Sequence, residues 1–261
     1  MRQAPVPPAT LEEVGPGNLS DCGIGCITNP KHEGHGPKVR WLQQRFAEGL
    51  RFLLFRDAKG KPLAFLEYVP GEYAWRPVDA QGWLFVHCLW VYPKGQAVGG
   101  LGSRLIQACV EQAGRVSARG VAAMVSAGPW MVGKQVFLRN GFVQTAERDR
   151  FQLVSYRLRP GRAPRFRDLG TKWAKQRGLH IVYAAQCPYL LKSVNDLSQM
   201  AGEHGLEVKV TLLGSAREAQ NAPSYYGVFN LLWNGRLLSD HYVSRGRFRN
   251  MLKRDILDQD K

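Results

Sequence analysis

One run of residues leaves few architectures open: FVHCLWVYPKGQAVGGLGSRLIQACVEQA, from Phe85 to Ala113. Trp83 to Tyr92 reads as a strand, and from Ser103 to Glu111 the residues Leu105, Ile106, Cys109 and Val110 recur at helical spacing. Between them lies a glycine-rich turn. A turn of this kind feeding a helix exposes backbone N–H groups at the positive end of the helix dipole, which makes an anion site. No Gly-Lys-Ser/Thr follows, so it is not a Walker loop, and no initial βαβ unit with its acidic residue marks a dinucleotide fingerprint. The run predicts a sheet crossed by a helix whose start receives a phosphate-bearing ligand.

The flanks agree with a mixed sheet. Trp41, Leu42, Arg45 and Phe46 cluster at helical spacing and Gly49 stops that helix. Arg51 to Arg56 and Leu63 to Val69 read as a hairpin broken by the turn Asp57 to Gly60, and Val121 to Ser126 reads as the next strand. Strands followed by alternating helix and strand predict an α/β (α+β) class. The stretch RLRPGRAPRFRDLGTKWAKQRG, rich in arginine, lysine, proline and glycine, reads as a basic linker over residues 159–178. Residues 1–158 and 179–261 are then two unrelated domains.

The end of the loop, Gly100-Leu101-Gly102-Ser103-Arg104-Leu105-Ile106, resembles the pyrophosphate motif of the GCN5-related N-acetyltransferases (GNAT), and Val136-Phe137-Leu138-Arg139-Asn140-Gly141-Phe142 is similar to that family's helix-then-Gly-Phe segment. The resemblance covers roughly residues 10–160, and with the stretch EYVPGEYAWRPVDA and the C-terminal half it extends to the YoaP-like branch. It implies a GNAT-fold mixed sheet and an N-acyltransferase that uses acetyl-CoA as acyl donor to an amine in a ternary complex. By the same resemblance, main-chain groups of Leu89 and Val91 hold the pantetheine arm, and the N–H groups of Val98, Gly99, Gly100, Leu101, Gly102 and Ser103 hold the pyrophosphate, with Arg104 and Lys134 assisting. The loop carries one residue more than the family spacing. Phe137 stands where the family often has a tyrosine that protonates the departing thiolate.

Amine acylation needs a neutral nucleophile and therefore a base. His87 is the first candidate, matching by resemblance the base of arylalkylamine N-acetyltransferases, and Glu67 on a neighbouring strand is the second. Strict alternation puts Phe85, His87, Leu89 and Val91 on one face and Cys88 on the other, in the core. The segment Cys22-x3-Cys26-x5-His32-x2-His35 has tolerable zinc spacing, but its glycines and prolines equally suit a lid whose Lys31, His32 and Glu33 meet the acceptor, and no metal is assigned.

From Leu179 the order strand HIVYAA, Gln186-Cys187-Pro188-Tyr189, helix, strand, Ala222-Pro223, strand, strand, helix is similar to a smaller thioredoxin-like domain, which places Pro223 at a cis-proline site facing Cys187. A thiol at a helix start has a lowered pKa, so Cys187 is an accessory reactive thiol. Leu190 replaces the second cysteine of C-x-x-C, which excludes dithiol chemistry. Thirty-six basic against 21 acidic side chains, a net charge of +15, suit a phosphate-rich cosubstrate and also tRNA. An aminoacyl-tRNA-dependent amide-forming transferase and a non-catalytic thiol sensor built on Cys187 are therefore the alternative readings. Five scattered cysteines do not form a secretory disulfide framework, and no apolar run reaches the ~20 residues of a membrane helix. The expectation is a cytoplasmic protein with no membrane association.

Overall fold

The computed structural model describes residues 9–92 and 99–257. They form two compact units, and each gathers separate stretches of chain. The first comprises residues up to Asn29, Leu42–Ala74 and Val78–Phe166; the second comprises Pro30–Trp41, Trp75–Pro77 and the chain from Arg167. A boundary near residue 158 misses two short excursions of the N-terminal half that pack with the C-terminal half. Long-range side-chain contacts hold them there: the Trp41 and Trp75 rings meet edge to face at 5.3 Å, and the buried Arg76 guanidinium donates to Gln186 Oε1 (2.9 Å) and lies over the Tyr226 ring.

The first unit carries β1 (Thr10–Val14), α1 (Leu19–Cys22), the C-terminal part of α2 (His35–Phe46), β2 (Arg51–Arg56), β3 (Pro62–Pro70), β4 (Val78–Asp79), β5 (Leu84–Val91), α3 (Leu101–Arg115), β6 (Gly120–Val125), α4 (Gln135–Leu138), β7 (Val143–Arg148), β8 (Phe151–Arg157) and β9 (Arg165–Phe166). Seven strands make one sheet in the order β1-β2-β3-β5-β6-β8-β7, antiparallel except between β5 and β6. α3 supplies the crossover that a parallel pair requires. Its apolar stripe, Leu101, Leu105, Ile106, Cys109 and Ala113, packs on Leu53, Phe55, Leu66, Tyr68, Val86, Ala123, Val125 and Val154 of the sheet. Burial pushes the Cys109 thiol well above the usual cysteine range, which leaves it inert.

The basic segment is anchored to its surroundings. Arg157 donates to Gly161 O, Arg159 to Ala118 O, and Arg165 pairs with Asp79 while β9 pairs with β4. Further on, the Trp173 indole donates to Asn221 O.

The second unit holds β10 (Leu179–Tyr183), α5 (Tyr189–Glu203), β11 (Val208–Leu212), α6 (Ala216–Gln220), β12 (Phe229–Trp233), β13 (Arg236–Ser239) and α7 (Arg245–Met251), with a π-helical turn at Leu252–Leu257. The sheet order is β11-β10-β12-β13, with β10 and β11 parallel and the other pairs antiparallel. Asn234 and Gly235 both have positive φ (47° and 78°), the two-residue turn that joins β12 to β13. Ser215 and Ser244 cap α6 and α7 by accepting from Glu218 N and Arg247 N. The strand expected over RLLSDHYVS ends at Ser239, where the Ser239 hydroxyl turns the chain by donating to His241 O. No cis peptide bond occurs among the described residues, so the expected cis-proline at Pro223 is corrected: its peptide is trans.

Candidate active site

The register of β5 against β3 slips at one residue. Tyr68 faces Val86 and Glu67 faces Cys88, which leaves His87 as the extra residue of a β-bulge. Leu84 and Val86 before the bulge, and Leu89 and Val91 after it, all pack in the cluster beneath α3. The bulge therefore reverses the alternation. The expected common face of Phe85, His87, Leu89 and Val91 is corrected: Phe85, His87 and Cys88 share the face away from α3, and Leu89 and Val91 point to the α3 side. The rings of Phe85 and His87 lie 6.0 Å apart. Leu66 and Tyr68 belong to the α3 cluster, which puts Glu67 between them on the face of His87. Both candidate proton carriers thus sit on one face of neighbouring strands, with His87 8% and Glu67 1% exposed.

Beyond the bulge the sheet opens. β5 pairs with β6 only through Leu84–Val121, Phe85–Ala122 and Val86–Ala123, and no further rung joins them among the described residues. Main-chain groups of Leu89 and Val91, which lie beyond the last rung, are therefore placed to meet another extended partner.

α3 starts at the same end. Gly100, with φ 79°, takes the left-handed conformation at the N-cap, and the first amide to find a helical carbonyl is Arg104 N, on Gly100 O at 3.0 Å. The N–H groups of Leu101, Gly102 and Ser103 are left pointing out of the helix. A Cβ on Gly102 would stand 3.3 Å from Val91 Cγ2, so glycine lets the helix start approach the end of β5. The Arg104 guanidinium lies over the Phe55 ring at 4.5 Å, and Lys134 donates to Gln144 Oε1. Val98 lies outside the described residues. Phe137 is fully buried against Phe142, 5.2 Å between ring centres.

Sequence reasoning passed over Asn140, which donates to Ser103 Oγ (3.0 Å) and to Val136 O (2.7 Å). An amide placed directly before the Gly141-Phe142 turn was the available signal.

The remaining predicted residues make other contacts. Cys22 donates to the Glu12 carboxylate at 3.2 Å, and burial together with that bond raises its pKa. Cys26 turns to Ile24 O, whereas His32 and His35 belong to the second unit, and no group of three or more metal-binding side chains forms among the described residues. His32 Nδ1 accepts from Gly34 N–H, and its ring meets Tyr189 edge-on at 5.9 Å; Glu33 accepts from Asn195. Gly34 is packed on Pro188 so closely that a Cβ would stand 1.8 Å from the Pro188 carbonyl oxygen. Cys187 occupies the same corner, half-buried, one residue before the Pro188 N-cap of α5.

No family model matches the chain. A curated relative, "Uncharacterized N-acetyltransferase YoaP" of Bacillus subtilis (strain 168), is 28% identical over 247 residues, covering 92% of this chain and 97% of the relative. Among solved structures, the ribosomal-protein-alanine N-acetyltransferase from Brucella melitensis aligns with 57% of this chain and 99% of its own (15% identity, TM-score 0.41). The GNAT family N-acetyltransferase YhbS from Escherichia coli, solved in complex with CoA, aligns with 59% of this chain and 85% of its own (16% identity, TM-score 0.39). No helix among the described residues is long and apolar enough to cross a membrane. The curated relative, aligned through nearly the whole length of both chains, supports an acyltransferase.

Proposed function

We propose that the protein transfers an acetyl group from acetyl-CoA to an amine by direct attack within a ternary complex. The observation that carries this is the opened β5/β6 pair, with N–H groups at the α3 start that find no acceptor among the described residues and His87 in the bulge beside it. The residues fit the cosubstrate: the missing Cβ of Gly102 leaves a close approach between Val91 and the helix start, and a diphosphate meets three outward N–H groups and the helix dipole there. β5 beyond Val86 offers an extended pantetheine arm the main-chain groups of Leu89 and Val91, as an added strand does.

Acetyl-CoA supplies the activated acyl group and a thiolate able to leave. His87 takes the proton of the attacking amine, and Glu67, facing Cys88 across the strands, keeps a carboxylate on the same face to orient or receive it. A β5 N–H facing the opening stabilises the oxyanion. Phe137 supplies no proton to the thiolate, which leaves unassisted by that position. The order β11-β10-β12-β13, with α5 crossing from β10 to β11, supports a thioredoxin-like second unit in which Cys187 is a monothiol.

The test is calorimetric titration of RNA-free protein with acetyl-CoA at physiological salt. One-to-one binding in the micromolar range is expected. Absence of binding overturns the proposal and returns the anion site to the aminoacyl-tRNA alternative.

A further inference from the structure

The structure assigns Asn140 as a positioning residue for the diphosphate, acting through the hydroxyl of Ser103; this rests on the acetyl-CoA reading of the α3 start. The reasoning follows donors and acceptors. Val136 O can only accept, so the Asn140 atom 2.7 Å from it is the amide nitrogen, which settles the orientation of the side chain. The second hydrogen on that nitrogen goes to Ser103 Oγ at 3.0 Å. In this bond the Ser103 oxygen accepts, and its own proton must point elsewhere. A serine in the first turn of a helix commonly turns its proton back to the preceding backbone. Here it donates to no described residue, and Ser103 is the third helical residue, where the outward N–H groups converge. Asn140 therefore holds the hydroxyl as a pre-aimed donor beside those amides, at the position a phosphate oxygen takes.

The bond also ties two segments that diverge in the sequence. Asn140 ends the α4 turn and Ser103 begins α3, so one amide fixes the helix start relative to the Gly141-Phe142 corner. A hydrogen bond to a charged phosphate is worth about tenfold in affinity or more, and its geometry is set before the ligand arrives.

The experiment is a double-mutant cycle on the full chain, read as the calorimetric Kd of acetyl-CoA and of S-acetylpantetheine, which lacks the phosphates. Ser103→Ala is expected to weaken acetyl-CoA about tenfold, and Asn140→Ala by a smaller factor. Asn140→Ala added to Ser103→Ala should weaken it no further, and S-acetylpantetheine should bind all variants alike. An equal loss from Asn140→Ala in both backgrounds, or a matching loss for S-acetylpantetheine, marks a purely structural role and overturns the inference. If Asn140→Ala does not fold, Asn140→Asp serves: an ionised carboxylate only accepts, draws the Ser103 proton to itself, and should weaken acetyl-CoA at least as much as Ser103→Ala. Wild-type protein that ignores acetyl-CoA overturns the underlying reading and the inference with it, whereas wild-type binding that Asn140→Ala and Asn140→Asp leave unchanged overturns the inference alone.

Discussion

Each of the two larger sheets contains one parallel strand pair, and in each pair the connecting crossover includes a helix of 15 residues, yet the two pairs end differently. β10 and β11 stay paired for five residues, Leu179–Val208 to Tyr183–Leu212, whereas β5 and β6 part after three. The corners that follow differ in the same sense. α5 is capped by Pro188, which has no N–H to offer, and Gly34 from a distant stretch of chain fills the space against its carbonyl. α3 is capped by a left-handed glycine that leaves three amides outward, and a bulge re-aims the strand beside it. One βαβ unit keeps its strands paired along their length and becomes scaffold. The other withholds part of that pairing, and under the proposed function those main-chain groups are what meets the cosubstrate.

If this contrast is correct, changes at the open corner should cost chemistry and changes at the closed corner should cost stability. The largest effect is expected from His87→Ala, which should lower kcat/KM by ~10² or more near neutral pH, with the loss shrinking toward pH 9 as the acceptor amine deprotonates unaided. Full activity across pH 6 to 9 would remove His87 from the reaction. Next, Gly34→Ala should destabilise the second unit by ~2 kcal/mol or more, because a Cβ cannot share space with the Pro188 carbonyl, while acetyl-CoA affinity stays as in the wild type. Thermal unfolding and titration of the same sample check both halves.

Gly102→Ala is its counterpart. Its Cβ would meet Val91 Cγ2 at 3.3 Å and Val136 Cγ2 at an ordinary 3.7 Å, and alanine favours the helix by up to ~1 kcal/mol, so the melting temperature should barely move while acetyl-CoA binding weakens about tenfold. A variant that melts early but binds normally would reverse the assignment of the two corners.

The smallest effect concerns acid. Asp255 is held below the usual carboxylate range by its two-point bond to Arg254, at 3.0 and 2.6 Å, with Arg236 nearby. A lowered folded-state pKa stabilises the protein above the unfolded value and is lost as pH falls through the folded one. Amide exchange in the π-helical turn after α7 should therefore quicken below the ordinary aspartate range, and Asp255→Asn should show faster exchange already at neutral pH.

Much of this was legible in the sequence where burial follows a local period. β2, β3, β5, β6, α3 and α5 announce themselves by apolar spacing, and the glycines before α3 mark where that helix begins. β7 does not, because five of its six residues are exposed and no alternation survives. α2 begins at His35, before the apolar spacing at Trp41 starts, since its first turn holds Gly36 and Pro37 and proline fits where no helical acceptor is needed. The face of His87 was misread for a related reason: a bulge is a mismatch with the partner strand, and the residues of β5 alone carry no mark of it. The excursions around Gly34 and Arg76 are set by contacts with residues far along the chain, which no window of neighbouring residues encodes. The charge excess also looked freer than it is. Arg157, Arg159 and Arg165, prominent in the basic stretch, bind protein carbonyl or carboxylate oxygens.

The packing of Gly34 on Pro188 sets a timetable for synthesis. At about 5–20 residues per second, the ribosome adds the chain between these two positions over roughly ten seconds or more, during which the segment around Gly34 has emerged without its partner. That segment carries Lys31, His32 and Glu33 beside glycines and proline, a composition that resists premature collapse. A nascent chain can therefore keep it waiting in water while the seven-stranded sheet forms, and its closure waits for Pro188 to be made.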